Sequence, residues 1–175
     1  MMRYRIPTAF SLLLLLSGCF CSQYRDTAYF DLTPAKAAAA VPVEVAELQN
    51  RSGSGSRFQY REKNGRILAD PDRKWILPPG ALVARALRSA LTPPASSAAG
   101  EPETQISGEL LFFETDLETR NFHLQAQLRI TRRDGKTRKL NCDIKIPLTG
   151  DAPEHTVQAA NQAVGKLAGQ LSKAL

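Results

Sequence analysis

FHLQAQLRITRRDGKTRKLNCDIKI, residues 122–146, is the stretch that decides the fold. Phe122, Leu124, Ala126, Leu128 and Ile130 alternate with His123, Gln125, Gln127 and Arg129. A period of two with one apolar phase marks a strand that is covered on one face. Arg133-Asp134-Gly135-Lys136 supplies a tight turn, and Leu140, Cys142, Ile144 and Ile146 alternate as the returning arm. The two arms predict an antiparallel hairpin with one wet face and one apolar face that needs a cover.

The cover follows in the chain. Val157, Ala160, Val164, Leu167, Ala168, Leu171 and Leu175 form an apolar stripe at helical spacing, with Gln158, Gln162, Lys166, Gln170 and Lys173 on the other side. The helix is expected to start near Asp151, with Asp151 capping and Glu154 three residues later completing a capping box. Gly165 and Gly169 have the spacing of a membrane dimer motif. In an amphipathic helix they are expected instead to allow close packing on the sheet.

Towards the amino terminus, Gln105 to Thr115 predicts a further strand. Ile106, Gly108, Leu110 and Phe112 fall in one phase, and Leu111 and Phe113 in the other. Apolar residues in both phases predict a strand covered on both faces, or a face that meets a partner. Before it, Pro78-Pro79 opens a helix with Leu82, Val83, Ala86, Leu87, Ala90 and Leu91 as its stripe, Arg85 and Arg88 facing away, and Thr92-Pro93-Pro94 as its stop. Strands are expected at Ala28–Leu32, Val41–Leu48 and Arg57–Glu62, with Ile67-Leu68-Ala69 pairing back through the Asn64-Gly65 turn. Ala35–Ala40 is too short to stand alone as a helix. Residues 52–56 (Ser-Gly-Ser-Gly-Ser) and 95–103 read as loops. The fold class is therefore α+β: a single mixed β-sheet with two helices packed on one face, strands then helix, twice over, across residues 28–175.

A chain of 175 residues fits one such domain. Mean hydropathy of −0.26 excludes a protein of many spanning helices. A 43% hydrophobic content excludes a disordered chain, and three cysteines are too few for a disulfide scaffold. The net charge of +6 leaves nucleic acid, a membrane surface or an acidic partner to be weighed.

The first residues weigh against nucleic acid. Arg3 and Arg5 precede an apolar run, Ala9 to Leu16, and then Leu16-Ser17-Gly18-Cys19. That order reads as a secretory signal peptide over residues 1–18, too short to span about 30 Å of hydrocarbon. A small-residue cut before cysteine resembles the lipobox of bacterial lipoproteins, in which the thiol is lipidated; here the lipidation site is Cys19. Phe20 behind it, where aspartate would favour retention, points to the outer membrane. Residues 19–27 then form a lipidated cysteine and tether, and eight residues reach at most roughly 27 Å. The domain is expected on the periplasmic face of the cell envelope, close to a membrane. Cys21 and Cys142 remain as thiols, with Cys142 expected as a free cysteine in the core and a bridge between the two as the alternative.

Candidate chemistry is sparse. No nucleophile elbow and no phosphate-cradling glycine loop is present. His123 and His155 have no second ligand at metal spacing and read as surface residues. Glu114, Asp116 and Glu118 read as solvating carboxylates. Arg132, Arg133, Lys136, Arg138 and Lys139 make a basic hairpin tip, read as an ordinary charged tip before a headgroup or acidic-partner site. The sequence thus predicts no enzyme, no catalytic residue, no cofactor and no metal.

The order of these pieces resembles the ABC-type transport auxiliary lipoprotein family. The matching residues are the lipobox at Cys19, Tyr29-Phe30-Asp31-Leu32-Thr33-Pro34, Arg57-Phe58-Gln59-Tyr60-Arg61, and the Trp75-to-Pro78 approach to the Leu82–Leu91 helix. The resemblance implies a fold similar to the amino-terminal domain of TolB. It also implies a non-enzymatic accessory subunit of an intermembrane (phospho)lipid transport system, lipid-anchored, partnered with an MCE-type lipid-transport protein and its ABC transporter. Homo-oligomerisation is compatible with it. The alternative is an envelope-assembly lipoprotein of similar fold, such as a peptidoglycan-synthase activator or an outer-membrane assembly factor.

Overall fold

The structure, a computed structural model, describes residues 26–33, 42–53, 55–91 and 102–175. The signal peptide, Cys19 and Cys21, the alanine-rich stretch and most of the 92–103 loop lie outside them. The elements in chain order are β1 (Ala28–Phe30), β2 (Val43–Val45), β3 (Gln49–Asn50), β4 (Arg57–Arg61), β5 (Ile67–Trp75), α1 (Pro79–Ala90), β6 (Thr104–Asp116), β7 (Asn121–Arg132), β8 (Thr137–Pro147) and α2 (Pro153–Ala174).

All eight strands belong to one mixed sheet of order β1-β5-β4-β6-β7-β8. Strand β6 organises it. One of its edges pairs antiparallel with β7 over its full length. The other pairs parallel with three short pieces in succession: β2 at Thr104–Ile106, β3 at Glu109–Leu110 and β4 at Thr115–Asp116. Of the expected strand over residues 41–48, Val43–Val45 forms as β2; the Ala46 amide still donates to the Ile106 carbonyl at 2.9 Å, and a second fragment, Gln49–Asn50, follows beyond the expected end. The first half reaches its helix through five short strands, whereas β6, β7 and β8 form a plain meander.

Both helices lie on one face and contact each other. Helix α2 covers β7 and β8 with Ala160, Val164, Leu167, Ala168 and Leu171 fully buried. Helix α1 crosses β2, β3 and β6. Its first turn packs so tightly that a Cβ on Gly80 would meet the Leu48 carbonyl oxygen at 2.1 Å. Aromatic residues make up only 7% of the chain, yet five of them run through the core as one chain. Phe30–Phe58, Phe58–Trp75, Trp75–Phe113 and Phe113–Phe122 have ring centroids 5.0, 4.3, 5.3 and 4.9 Å apart. Concentrating the largest apolar areas where β5, β4, β6 and β7 meet gives the sheet its main packing contribution. Cys142 is buried as expected, and burial pushes its thiol above the ordinary range.

Strand β5 runs well past the expected Ala69. Pro71 breaks the periodic pattern, and the sheet accommodates it as a bulge, since Gln59 pairs with Ala69 but Arg57 pairs with Lys74. Asp70 organises that bulge by accepting from the Asp72 and Arg73 amides with Oδ1 and from the Tyr60 hydroxyl with Oδ2 at 3.1 Å. Burial raises the Tyr60 phenol above its ordinary value. A raised acid contributes stability that is intact below an unfolded pKa of about 10 and is lost as pH rises through the folded one. Tyr60→Phe is therefore expected to lose the hydrogen bond at pH 7 but to show a shallower fall in stability above pH ~10. Urea titrations at both pH values check this, and parallel slopes for the two proteins would count against it.

Helix α2 does not begin as the capping-box pattern predicts. Its N-cap is Ala152, with no side-chain cap, and Pro153 occupies the first turn. Asp151 instead pairs with Arg120, at 2.6 Å, a residue at positive φ (52°) in the β6–β7 turn. Gly169 does not pack closely either: a Cβ there would meet nothing within 4 Å. The basic hairpin tip has a structural task at the other end of α2. Arg132 donates to the Leu175 carbonyl at 2.8 Å and Arg138 to that of Ala174 at 3.4 Å. Helix carbonyls at that end lack intrahelical donors and carry partial negative charge, so two guanidinium groups stabilise it.

Candidate partner-binding face

The face of the sheet opposite the helices has no cover among the described residues, and β6 decides what stands on it. Leu110 pairs with Ala126 but Phe112 pairs with Gln125, so Leu111 is an extra residue in a β-bulge. The bulge reverses the inward phase: Ile106 and Leu110 point to the core before it, Phe113 after it. The apolar residues in both phases therefore do not mean a strand covered twice. They mean one strand whose phase changes once, turning Phe112 and Glu114 to the open face.

There they start a ladder that crosses four strands. Arg61 on β4 forks onto Glu114 on β6, with Nε to Oε1 at 2.5 Å and Nη2 to Oε2 at 3.1 Å. The same guanidinium lies 5.1 Å from the centre of the Phe112 ring. Phe112 stacks on His123 of β7 at 5.0 Å and 20°. His123 Nε2 meets Asp143 Oδ1 of β8 at 2.8 Å. Glu114 is 1% exposed although it lies on the uncovered face, because Arg61 and its neighbours close over it. Its contact is also the largest of the causes that raise the Arg61 guanidinium above its ordinary value. His123 is thus a held residue of the ladder, its side chain only 15% exposed, and not the simple surface histidine the alternation predicts.

The other sequence candidates separate. Asp116 caps the β6–β7 turn by accepting from the Glu118 and Thr119 amides, and the Thr119 amide is the largest cause holding its carboxyl below the ordinary range. Glu118 pairs with Lys63 at 3.3 Å. His155 bonds Thr149 Oγ1 at 2.7 Å. The three carboxylates thus never converge on one point, and each has its own local partner. Among the described residues no group of three or more His, Cys, Asp and Glu side chains is placed to hold a metal ion. No helix among them is long and apolar enough to cross a membrane.

Two shallow hollows flank the ladder. One, about 380 Å³, is lined by Ser107, Gly108, Glu109, Gln127, Arg129 and Asn141. The other, about 460 Å³, is lined by Arg57, Gln59, Ile67 and Lys74. Gln59 is 5% exposed there, and its Oε1 has no donor. On β1, at the end of the sheet, Tyr29 is 63% exposed with Lys74 Nζ 6.0 Å from its ring. Flat aromatic and amide surface, fixed guanidinium and an acceptor seeking a donor are means of holding a partner. Nothing in the ladder pairs a nucleophile with a base.

No protein-family model and no curated protein matches the chain. Solved structures resemble it. An uncharacterized protein superposes with a TM-score of 0.69 at 11% identity, covering 86% of this chain and 99% of its own. A protein of Xanthomonas campestris assigned to the family DUF330 gives 0.68 at 14% identity, covering 82% and 92%. At such identities the likeness is one of fold: a single mixed sheet with its helices on one face, as the alternation predicts.

Proposed function

We propose that the protein is a lipid-anchored, non-enzymatic accessory subunit of an ABC/MCE-type lipid transport system, docking the component that spans the periplasm at the periplasmic face of the outer membrane. The observation that carries this reading is the join between the lipobox and the sheet. Eight residues behind Cys19 lead directly into β1, the edge strand that carries exposed Tyr29. A short tether into a sheet with one uncovered, polar–aromatic face suits a module that is held at a membrane and binds, and the ladder from Arg61 to Asp143 is its docking surface.

Two experiments test this. Cys19→Ala is expected to move the protein from the membrane pellet to the soluble periplasmic fraction; retention in the pellet would sink the anchor. Affinity purification of the lipidated protein from solubilised membranes is expected to recover an MCE-type protein with its permease and ATPase. Recovery of cell-wall synthases or outer-membrane assembly factors would transfer the protein to the envelope-assembly class.

A further inference from the structure

Strand β8 ends the sheet, and among the described residues nothing pairs with its outer side. It is eleven residues long and carries no bulge against β7. Which of its backbone groups are left over can be read from the two ends of the hairpin. Arg132 N donates to Lys136 O, and Leu148 N donates to Arg120 O, both at 2.9 Å. In an antiparallel ladder the bonded pairs alternate with unbonded ones. Both ends therefore assign the even residues of β8 to β7 and turn the amides and carbonyls of Thr137, Lys139, Asn141, Asp143 and Lys145 outward. Pro147, also odd, ends this row without taking a bond from β7.

We propose that this row pairs with the same row of a second copy, antiparallel about a two-fold axis through Asn141. An antiparallel edge is self-complementary under such an axis, and residue i then faces residue 282 − i, as in a closed isologous dimer. In that register Lys139 faces Asp143 of the other copy, twice, on the open face. Leu140, which is only partly buried in one copy, faces Cys142 twice on the helix side. No neighbouring register sets opposite charges face to face. Centring on Lys139 or Asp143 sets like charges face to face, and centring on Cys142 sets Lys139 against Lys145. Centring on Leu140 leaves Asp143 facing Thr137. Only the Asn141 register sets opposite charges face to face, and directly opposed opposite charges stabilise a strand pair while like charges oppose it. The inference rests on sheet geometry, and Asp143 is the one residue that this edge shares with the ladder of the docking face.

The test is charge reversal read by cross-linking in native membranes. In a Cys21→Ser background, Asn141→Cys is expected to give a disulfide-linked dimer under mild oxidation, since the two positions 141 face each other. Gln125→Cys, one strand inside the sheet, is expected to give none. Lys139→Glu or Asp143→Lys added to Asn141→Cys is expected to lower the dimer yield about tenfold by placing like charges opposite, and the two together are expected to restore it. No cross-link at Asn141→Cys, equal cross-linking at Gln125→Cys, or a double reversal no better than the singles would each overturn the proposal. Circular dichroism of every variant separates loss of pairing from loss of fold.

Discussion

Gly108→Val is expected to lower the unfolding free energy by about 4 kcal/mol, near the upper end of what one substitution does. Gly108 lies on β6 at φ 149°, where it pairs with Leu128 of β7. A Cβ there would stand 2.1 Å from the Gln127 carbonyl oxygen and 2.9 Å from Leu128 Cα. Both are backbone atoms of the central strand, so no side chain can rotate to make room. The two strands must separate at the point where β6 also receives β3 on its other edge. Domains of this size are stable by only about 5–15 kcal/mol, so the variant retains a small margin or none. Urea denaturation measures it, and a loss under about 1 kcal/mol would mean that β6 and β7 approach less closely than described.

Arg61→Met is expected to cost about 3 kcal/mol, for an electrostatic reason. The substitution keeps an unbranched side chain but removes the guanidinium that lies over Phe112, and it leaves the Glu114 carboxylate, 1% exposed, without its counter-charge. Removing one partner of a buried pair is expensive because the remaining charge is neither solvated nor compensated. Arg61 itself is 29% exposed, which sets the estimate at the lower end of the known range. The double variant Arg61→Met/Glu114→Leu is expected to recover most of the loss, since two apolar side chains of similar volume replace the pair. Chemical denaturation of Arg61→Met, Glu114→Leu and the double variant completes the cycle. Equal losses in the single and double variants would show that Glu114 is not the source of the cost.

The meander and its cover were legible because one rule applied along their whole length. From Phe122 to Ile130, and again from Leu140 to Ile146, every second residue is apolar, and the register observed between β7 and β8 follows without interruption. The ladder was illegible for the opposite reason. Its residues come from β4, β6, β7 and β8, and Phe112 joins it only because Leu111 is an inserted residue. The signal was present as apolar residues in both phases of one strand, which a bulge and a doubly covered strand produce alike. Pro71 hid the second half of β5 in a similar way, since proline in a strand pattern argues against the strand unless a bulge takes it. The capping box failed because a sequence pattern counts spacing only, and Asp151 had a guanidinium within reach. Cys19 stands outside the described residues and remains a reading of its neighbours.

The three-part edge of β6 has a consequence for the order of events in time. Residues 43–61 form their strands against residues 104–116, so β2, β3 and half the pairing of β4 cannot be completed until a strand some fifty residues later is in place. The β6–β8 meander with α2 needs no such wait, because its partners are neighbours in the chain. Contacts between distant parts of a chain slow folding, since the loop must close before they are gained. Folding is thus expected to run against the direction of synthesis, with the carboxy-terminal half condensing first and the amino-terminal segment laid down on its edge. The end that is made first is the end that is finished last.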